Sequence, residues 1–205
     1  MSSPTSDVIP LRAQHAAVTR RAILQAARGL FAEQGFANTT MKGLAEHAGV
    51  AVQTIYATFG SKAGVVMGLV DLLDEEAGVE VIHADIQRTE DPREMLRLTA
   101  RILRQIRERC GDIVNMARQG ASTDERLASA LAEGIRRRDA ALATITQTLH
   151  SQKALREGLN PQTAADIAAA LLSDEICDVL VDQRHWSYDR YERWLADALA
   201  QQLLH

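Results

Sequence analysis

Apolar residues recur at three- and four-residue spacing along almost the whole chain. Ile23, Ala27, Leu30 and Phe31 share one helical face, and so do Val65, Val66, Leu69, Leu72 and Leu73. The same period carries Leu127, Leu131, Ile135, Leu142, Ile145 and Leu149. That pattern calls for helices and leaves no convincing strand. Composition agrees, because Ala, Leu, Arg and Glu are abundant while Pro numbers 4 and aromatics make up 4%. Such a mixture favours an all-α chain over a β-sandwich. With 46% hydrophobic residues in 205, there is enough apolar surface for a buried core, in one large or two smaller domains.

Several classes of function drop out at once. Two cysteines, Cys110 and Cys177, make no disulfide framework and read as reduced thiols, so a cytoplasmic location is expected. No run of about 18 apolar residues is present, and no membrane partner is expected. Met1 to Pro10 lack the basic start and apolar stretch of a secretory signal. No phosphate-binding Gly loop and no G-x-S-x-G elbow occurs, and Glu46-His47 lacks the second His of a zinc protease because Val50 stands there. No catalytic residue, metal ligand or cofactor is assigned, and the chain is read as a non-enzyme. Charge is uneven: residues 1–62 hold six basic and three acidic side chains, and the remainder holds 17 basic and 24 acidic. A basic start on an acidic body hints at a polyanionic partner for the start.

Punctuation divides the chain. Residues 1–15 carry Ser, Pro and Thr without periodicity, and 1–16 read as a flexible arm. Thr19 can cap a first helix and Gly35 can stop it. Thr39 or Thr40 caps a short helix ending at Gly49, a third short helix spans roughly Val52 to Thr58, and Ser61 caps a fourth after Gly60. Further helices start at Asp91-Pro92, after Gly111-Asp112, at Ser122 to Asp124, after Asn160-Pro161, and at Tyr188. A domain over 17–77 followed by a larger helical one over 78–205 accounts for this layout.

The informative stretch is TTMKGLAEHAGVAVQTIYATFGSK, Thr39 to Lys62. Two short helices around Gly49 have the layout of a helix-turn-helix, placed at about 40–59. Ala45 and Ala48 let the helices approach, Gly49 tolerates a positive φ, and Val50 and Ile55 can fill the space between them. The start of the second helix, Val52-Gln53-Thr54, offers an amide, a hydroxyl and methyl groups, which suit adenine edges and thymine methyls. Lys62 sits in the first turn of the next helix, where the dipole disfavours a cation unless an anion is also present. A phosphate there fits, and so does a solvated surface lysine. Thr40 could make the same kind of phosphate contact at its own helix start.

Over about 45 residues this run, TRRAILQAARGLFAEQGFANTTMKGLAEHAGVAVQTIYATFGSKAGVV, resembles the N-terminal domain of TetR-family transcriptional regulators of the TetR/AcrR type. The elements that carry the resemblance are Phe31 with Gly35, Thr39-Thr40, Ala45, Ala48-Gly49-Val50, Thr54-Ile55-Tyr56, Phe59 and Ser61-Lys62. The resemblance implies an all-α fold, with a three-helix DNA-binding domain followed by a ligand-binding and dimerisation domain. It implies that Thr40, Tyr56 and Lys62 hold phosphates and that Met41, Val52, Gln53 and Thr54 face bases or sugars, with Thr58 on the same DNA-binding face. Ala51, Ala57-Thr58 and Met41 depart from the residues often found at those places.

For the second domain the resemblance implies an effector pocket, with Met95, Leu98, Ile102, Met116 and Trp186 as candidate lining. Ordinary core packing accounts for the same side chains, and Trp194 fits either role. Residues 162–183 are too apolar to sit comfortably on a monomer surface. The ending SYDRYERWLADALAQQLL resembles one subset of the family, and that resemblance implies a four-helix bundle between two subunits, with Ile167, Leu171, Leu172, Val179, Trp194 and Leu195 at the interface; an internal core helix accounts for the same apolar stretch.

The expected whole is a homodimeric repressor. It binds an inverted-repeat operator in double-stranded DNA and is released by a small apolar or amphipathic effector that tilts the fourth helix. Two alternatives stand beside it: an enzyme using the helical pocket with the helix-turn-helix as scaffold, and a regulator answering to a protein partner. Lesser candidates read as structural: a metal at His83 and Asp85, a redox role for Cys110, a nucleic-acid patch at Arg136-Arg137-Arg138, and a minor-groove contact by Arg12.

Overall fold

The computed structural model describes residues 11–205, and among these every regular element is helical. The chain separates into two compact units, one up to Leu72 and one from Leu73 to His205. The division falls inside α4 (Lys62–Glu76), upstream of the boundary expected at 77–78. No single helix among the described residues is long and apolar enough to cross a membrane.

The first unit holds α1 (Leu11–Gln34), α2 (Met41–Ala48), α3 (Val52–Phe59) and the start of α4. Its buried side chains are the expected ones, including Ile23, Leu24, Ala27, Leu30, Phe31, Leu44, Ile55, Val65, Val66 and Leu69. The helix α1 begins earlier than expected. Residues 11–16, assigned to a flexible arm, are helical here, while 1–10 lie outside the described residues. The apolar period starts only at Ile23, but Arg12 to Ala17 are mostly strong helix formers with no Gly or Pro, so propensity extends the helix where burial does not.

The second unit holds α5 (Val79–Arg88), α6 (Pro92–Gly120), α7 (Glu125–Ser151), α8 (Pro161–Leu171), α9 (Asp174–Cys177) and α10 (Tyr188–Leu203). A π-helical turn, Asp178–Gln183, follows α9. The helix α6 packs on α10, α7 and α5, and α8 packs on α7 and α10. Side-chain oxygens of Asp91, Asp124, Asn160 and Ser187 cap α6, α7, α8 and α10 at the expected starts.

Three readings are corrected. The break expected at Gly111-Asp112 is a kink inside one helix, centred on Cys110 with φ −131° and ψ 19°. The helix α5 was not anticipated, because the αL residue Gly78 stands at its N-cap in place of a capping side chain. The apolar stretch after Asn160-Pro161, which periodicity reads as a single helix carrying Ile167 to Leu180, is not one helix. It stops at Leu171, restarts behind Ser173, and widens into the π turn.

Candidate nucleic-acid interface

Helices α2 and α3 are joined at Gly49, whose φ of 67° and ψ of 31° place it in the left-handed region. The Val50 N–H donates to the Ala45 carbonyl at 3.0 Å and so closes the end of α2. Two adjacent threonines divide the labour before α2. Thr39 is buried, and its hydroxyl donates to the Gly35 carbonyl at 3.0 Å, fixing the end of α1. Thr40 is exposed and is the N-cap, its oxygen accepting from the Gly43 N–H at 3.0 Å. The hydroxyl proton of Thr40 remains available for an anion.

The burial of α3 is one-sided. Ile55 is 0% exposed and seals the helix against the unit, whereas Gln53, Tyr56, Ala57 and Thr58 are exposed, Tyr56 by 50%. Val52, Thr54 and Met41 are half-buried at the margin. Ala51 makes no side-chain cap, as its methyl group requires. Thr58 donates its hydroxyl to the Thr54 carbonyl at 2.7 Å, so it offers bases or phosphates an acceptor and a methyl group rather than a donor. The arrangement presents a short helix with one amide, a phenol and several methyls, chemistry suited to base edges and sugars.

Residues 23–67 match the family model described as bacterial regulatory proteins, tetR family. Over residues 23–67 the chain is similar to the tetR family. Solved structures with the same fold extend across both units. NalD, the secondary repressor of the MexAB-OprM multidrug efflux pump in Pseudomonas aeruginosa, shares 23% identity over 94% of this chain and 98% of its own, with a TM-score of 0.70. A complex of SmeT with triclosan shares 19% over 92% of each chain, with a TM-score of 0.73. The Bacillus subtilis transcriptional regulator FadR with stearoyl-CoA shares 18% over 88% and 97%, with a TM-score of 0.70. No curated protein sequence matches the chain.

Within this TetR-type domain Lys62 is not a free surface lysine. Its Nζ donates to the Phe36 carbonyl and lies 4.1 Å from the centre of the Phe36 ring. The lysine thus ties the start of α4 to the loop after α1. Beside it the Ser61 hydroxyl oxygen accepts from the Gly64 N–H at 3.1 Å, which caps α4. Lys62→Ala is expected to lower the melting temperature of the protein by a few degrees, consistent with loss of about 1 kcal/mol of hydrogen bond and ring contact. It is also expected to weaken binding to all duplexes alike, with the salt slope falling by about one per subunit. A lower melting temperature with an unchanged slope would leave Lys62 a purely structural tie.

The structure places the second-unit candidates less uniformly. Met95 and Leu98 are buried in the hydrophobic core, with Ile102 packed against it. Met116 and Trp186 are half-buried and outside that cluster. Trp186 sits edge-on to Trp194 at 6.2 Å and beneath the Arg190 guanidinium at 3.8 Å. Of the interface candidates, Leu172 at 4% and Leu195 at 0% exposure are closed within their own chain and present nothing to a second copy. Leu195 lies on the buried face of α10 and Leu172 is the C-cap of α8, and periodicity alone separates neither from an interface residue. Ile167, Leu171 and Trp194 are half-buried and Val179 is 40% exposed, so these four retain accessible surface.

Sequence reasoning missed a charged centre in the second unit. Arg107, its side chain 3% exposed, meets Asp178 at 2.5 Å and Asp174 and Asp182 at 3.6 Å. Arg118 shares Asp178 at 2.7 Å, and the Tyr188 hydroxyl donates to the Arg107 carbonyl at 3.2 Å beside the kink. Burial pushes the Asp174 carboxyl above its ordinary range, although Arg107 and Arg118 pull it back. The signal lay in the four-residue spacing of Asp174, Asp178 and Asp182, which the π turn keeps on one face.

Proposed function

We propose that this chain is a homodimeric, ligand-responsive transcriptional repressor that binds an inverted-repeat operator. The observation that carries this reading is α3: sealed by Ile55 on one side and open at Gln53, Tyr56 and Thr58 on the other, within a TetR-type domain. A two-fold dimer would set two such helices into successive major grooves about 34 Å apart. Triclosan and stearoyl-CoA, bound by proteins of the same fold, support a small apolar or amphipathic effector held by the second unit. The repressor NalD supports the sign of control. Effector binding need favour the DNA-incompetent dimer by only about 1–3 kcal/mol to lower affinity roughly 5- to 150-fold. Ile167, Leu171, Trp194 and Val179 are the surface residues proposed for the dimer contact.

The test is selection of bound duplexes from a random pool by the purified protein at fixed salt. Recovery of an inverted repeat is expected. Gln53→Ala is expected to relax one position in each half-site, at about 1–3 kcal/mol of lost discrimination. Identical sequences recovered by wild type and variant would show that Gln53 reads no base. Recovery of no common sequence, with or without added metabolite extract, would overturn the functional reading.

A further inference from the structure

The first two turns of α1 bury nothing. Residues 12–18 are all exposed, and Val18 is 68% exposed, so the core does not explain why the helix continues there. Residues 12, 15, 16 and 19 fall on one helical face, because they are spaced three and four apart. Three of these, His15, Ala16 and Thr19, line a groove of about 530 Å³ whose other wall is Thr54, Ala57 and Thr58 of α3. Arg12 continues the same face one turn earlier. The groove therefore runs beside the helix proposed to read bases, and α1 is its second wall.

Charge and chemistry restrict what fits. No carboxylate occurs between Asp7 and Glu33, while Arg12, Arg20, Arg21 and Arg28 all lie on α1, Arg20 being paired with Asp71. Ala16, Ala17 and Ala57 line it with methyl groups, and His15 and Thr19 add an imidazole and a hydroxyl; Arg20, also in the lining, is paired with Asp71 at 2.9 Å, and Arg12 lies one turn earlier on the same helical face. A deoxyribose ring suits the methyl floor and its flanking phosphates suit those donors. Resting on the DNA-binding reading above, we propose that this groove seats one sugar–phosphate strand of the duplex, making α1 a second DNA-contacting element. The footprint then extends past the bases read by α3, and part of the affinity is independent of sequence.

The experiment compares two full-length variants of equal charge, Ala16→Glu in the groove and Val18→Glu on the opposite face of the same helix. Both positions are exposed, so both variants should melt at the wild-type temperature. Ala16→Glu is expected to weaken binding about tenfold to selected and random duplexes alike, and Val18→Glu less than about twofold. Arg12→Ala should lower the salt slope by about 0.9 per subunit. Phosphate-ethylation interference on the selected duplex should show at least one blocked phosphate that Ala16→Glu no longer senses. Equal losses in the two glutamate variants, or no loss in either, would overturn the groove assignment while leaving α3 as the reader. Failure of the wild type to bind any duplex would overturn both readings together.

Discussion

Gly64→Ala is expected to destabilise the N-terminal unit by about 3 kcal/mol and to abolish specific DNA binding. Helix propensity alone predicts the opposite sign, since alanine is favoured over glycine inside a helix by about 1 kcal/mol. The geometry decides against propensity. A Cβ on Gly64 would fall 1.9 Å from the Phe59 carbonyl oxygen and 2.9 Å from its carbon. Both atoms are backbone, so no rotamer change relieves the clash, and α3 would have to shift from the start of α4. Those two helices meet at a 66° bend across Gly60 and Ser61. Their corner also holds the Phe59 ring, which would come within 2.7 Å of a Cβ on Gly68. Overpacking of this kind exceeds the propensity gain several-fold. Urea unfolding and duplex binding of the variant check the prediction, and a variant as stable as wild type would show that the corner yields.

Arg107→Met is expected to cost about 3–5 kcal/mol, because it leaves Asp174 and Asp178 partly buried without their main counter-charge. Arg118 still reaches Asp178, but no other ion pair to Asp174 is seen among the described residues. The loss should depend on pH with a definite sign. An acid whose folded pKa lies above its unfolded value binds more protons when folded, so its ionisation subtracts stability as pH rises through that window. Burial already raises Asp174, and removal of Arg107 raises it further. The variant should therefore be most impaired near pH 7 and recover towards wild type as pH falls to the ordinary carboxylate range. Adding Asp174→Asn should restore part of the stability at pH 7. A penalty that is flat with pH would show that packing, and not the uncompensated carboxylate, carries the loss.

The parts of this molecule legible in its sequence are those set by near neighbours in the chain. Gly49 as the turn, Asp91, Asp124, Asn160 and Ser187 as caps, and Ile55 as the buried residue of α3 each follow from residues a few positions away. What escaped depends on distant partners. Lys62 reads as an exposed phosphate ligand until the Phe36 carbonyl, 26 residues earlier, is brought to it. Leu172 and Leu195 carry the same apolar signal as an interface residue, and only the folding of α10 onto α6 and α8 closes them. Arg107 looks like one more surface arginine on α6 until Asp178, 71 residues later, arrives. The exposed start of α1 left no apolar signature because it has no core partner.

The tie between Lys62 and Phe36 also bears on how tightly an anion can be held. A lysine free in solvent carries about 2 kcal/mol of rotamer entropy, which an ion pair must overcome when it forms. Here a carbonyl and an aromatic face already restrict the ammonium, so that cost falls on folding. An anion arriving at the first turn of α4 meets a charge fixed in place beside the Ala63 amide. Binding there loses little disorder on the protein side, and its strength is set by the exchange of one oxygen partner for another.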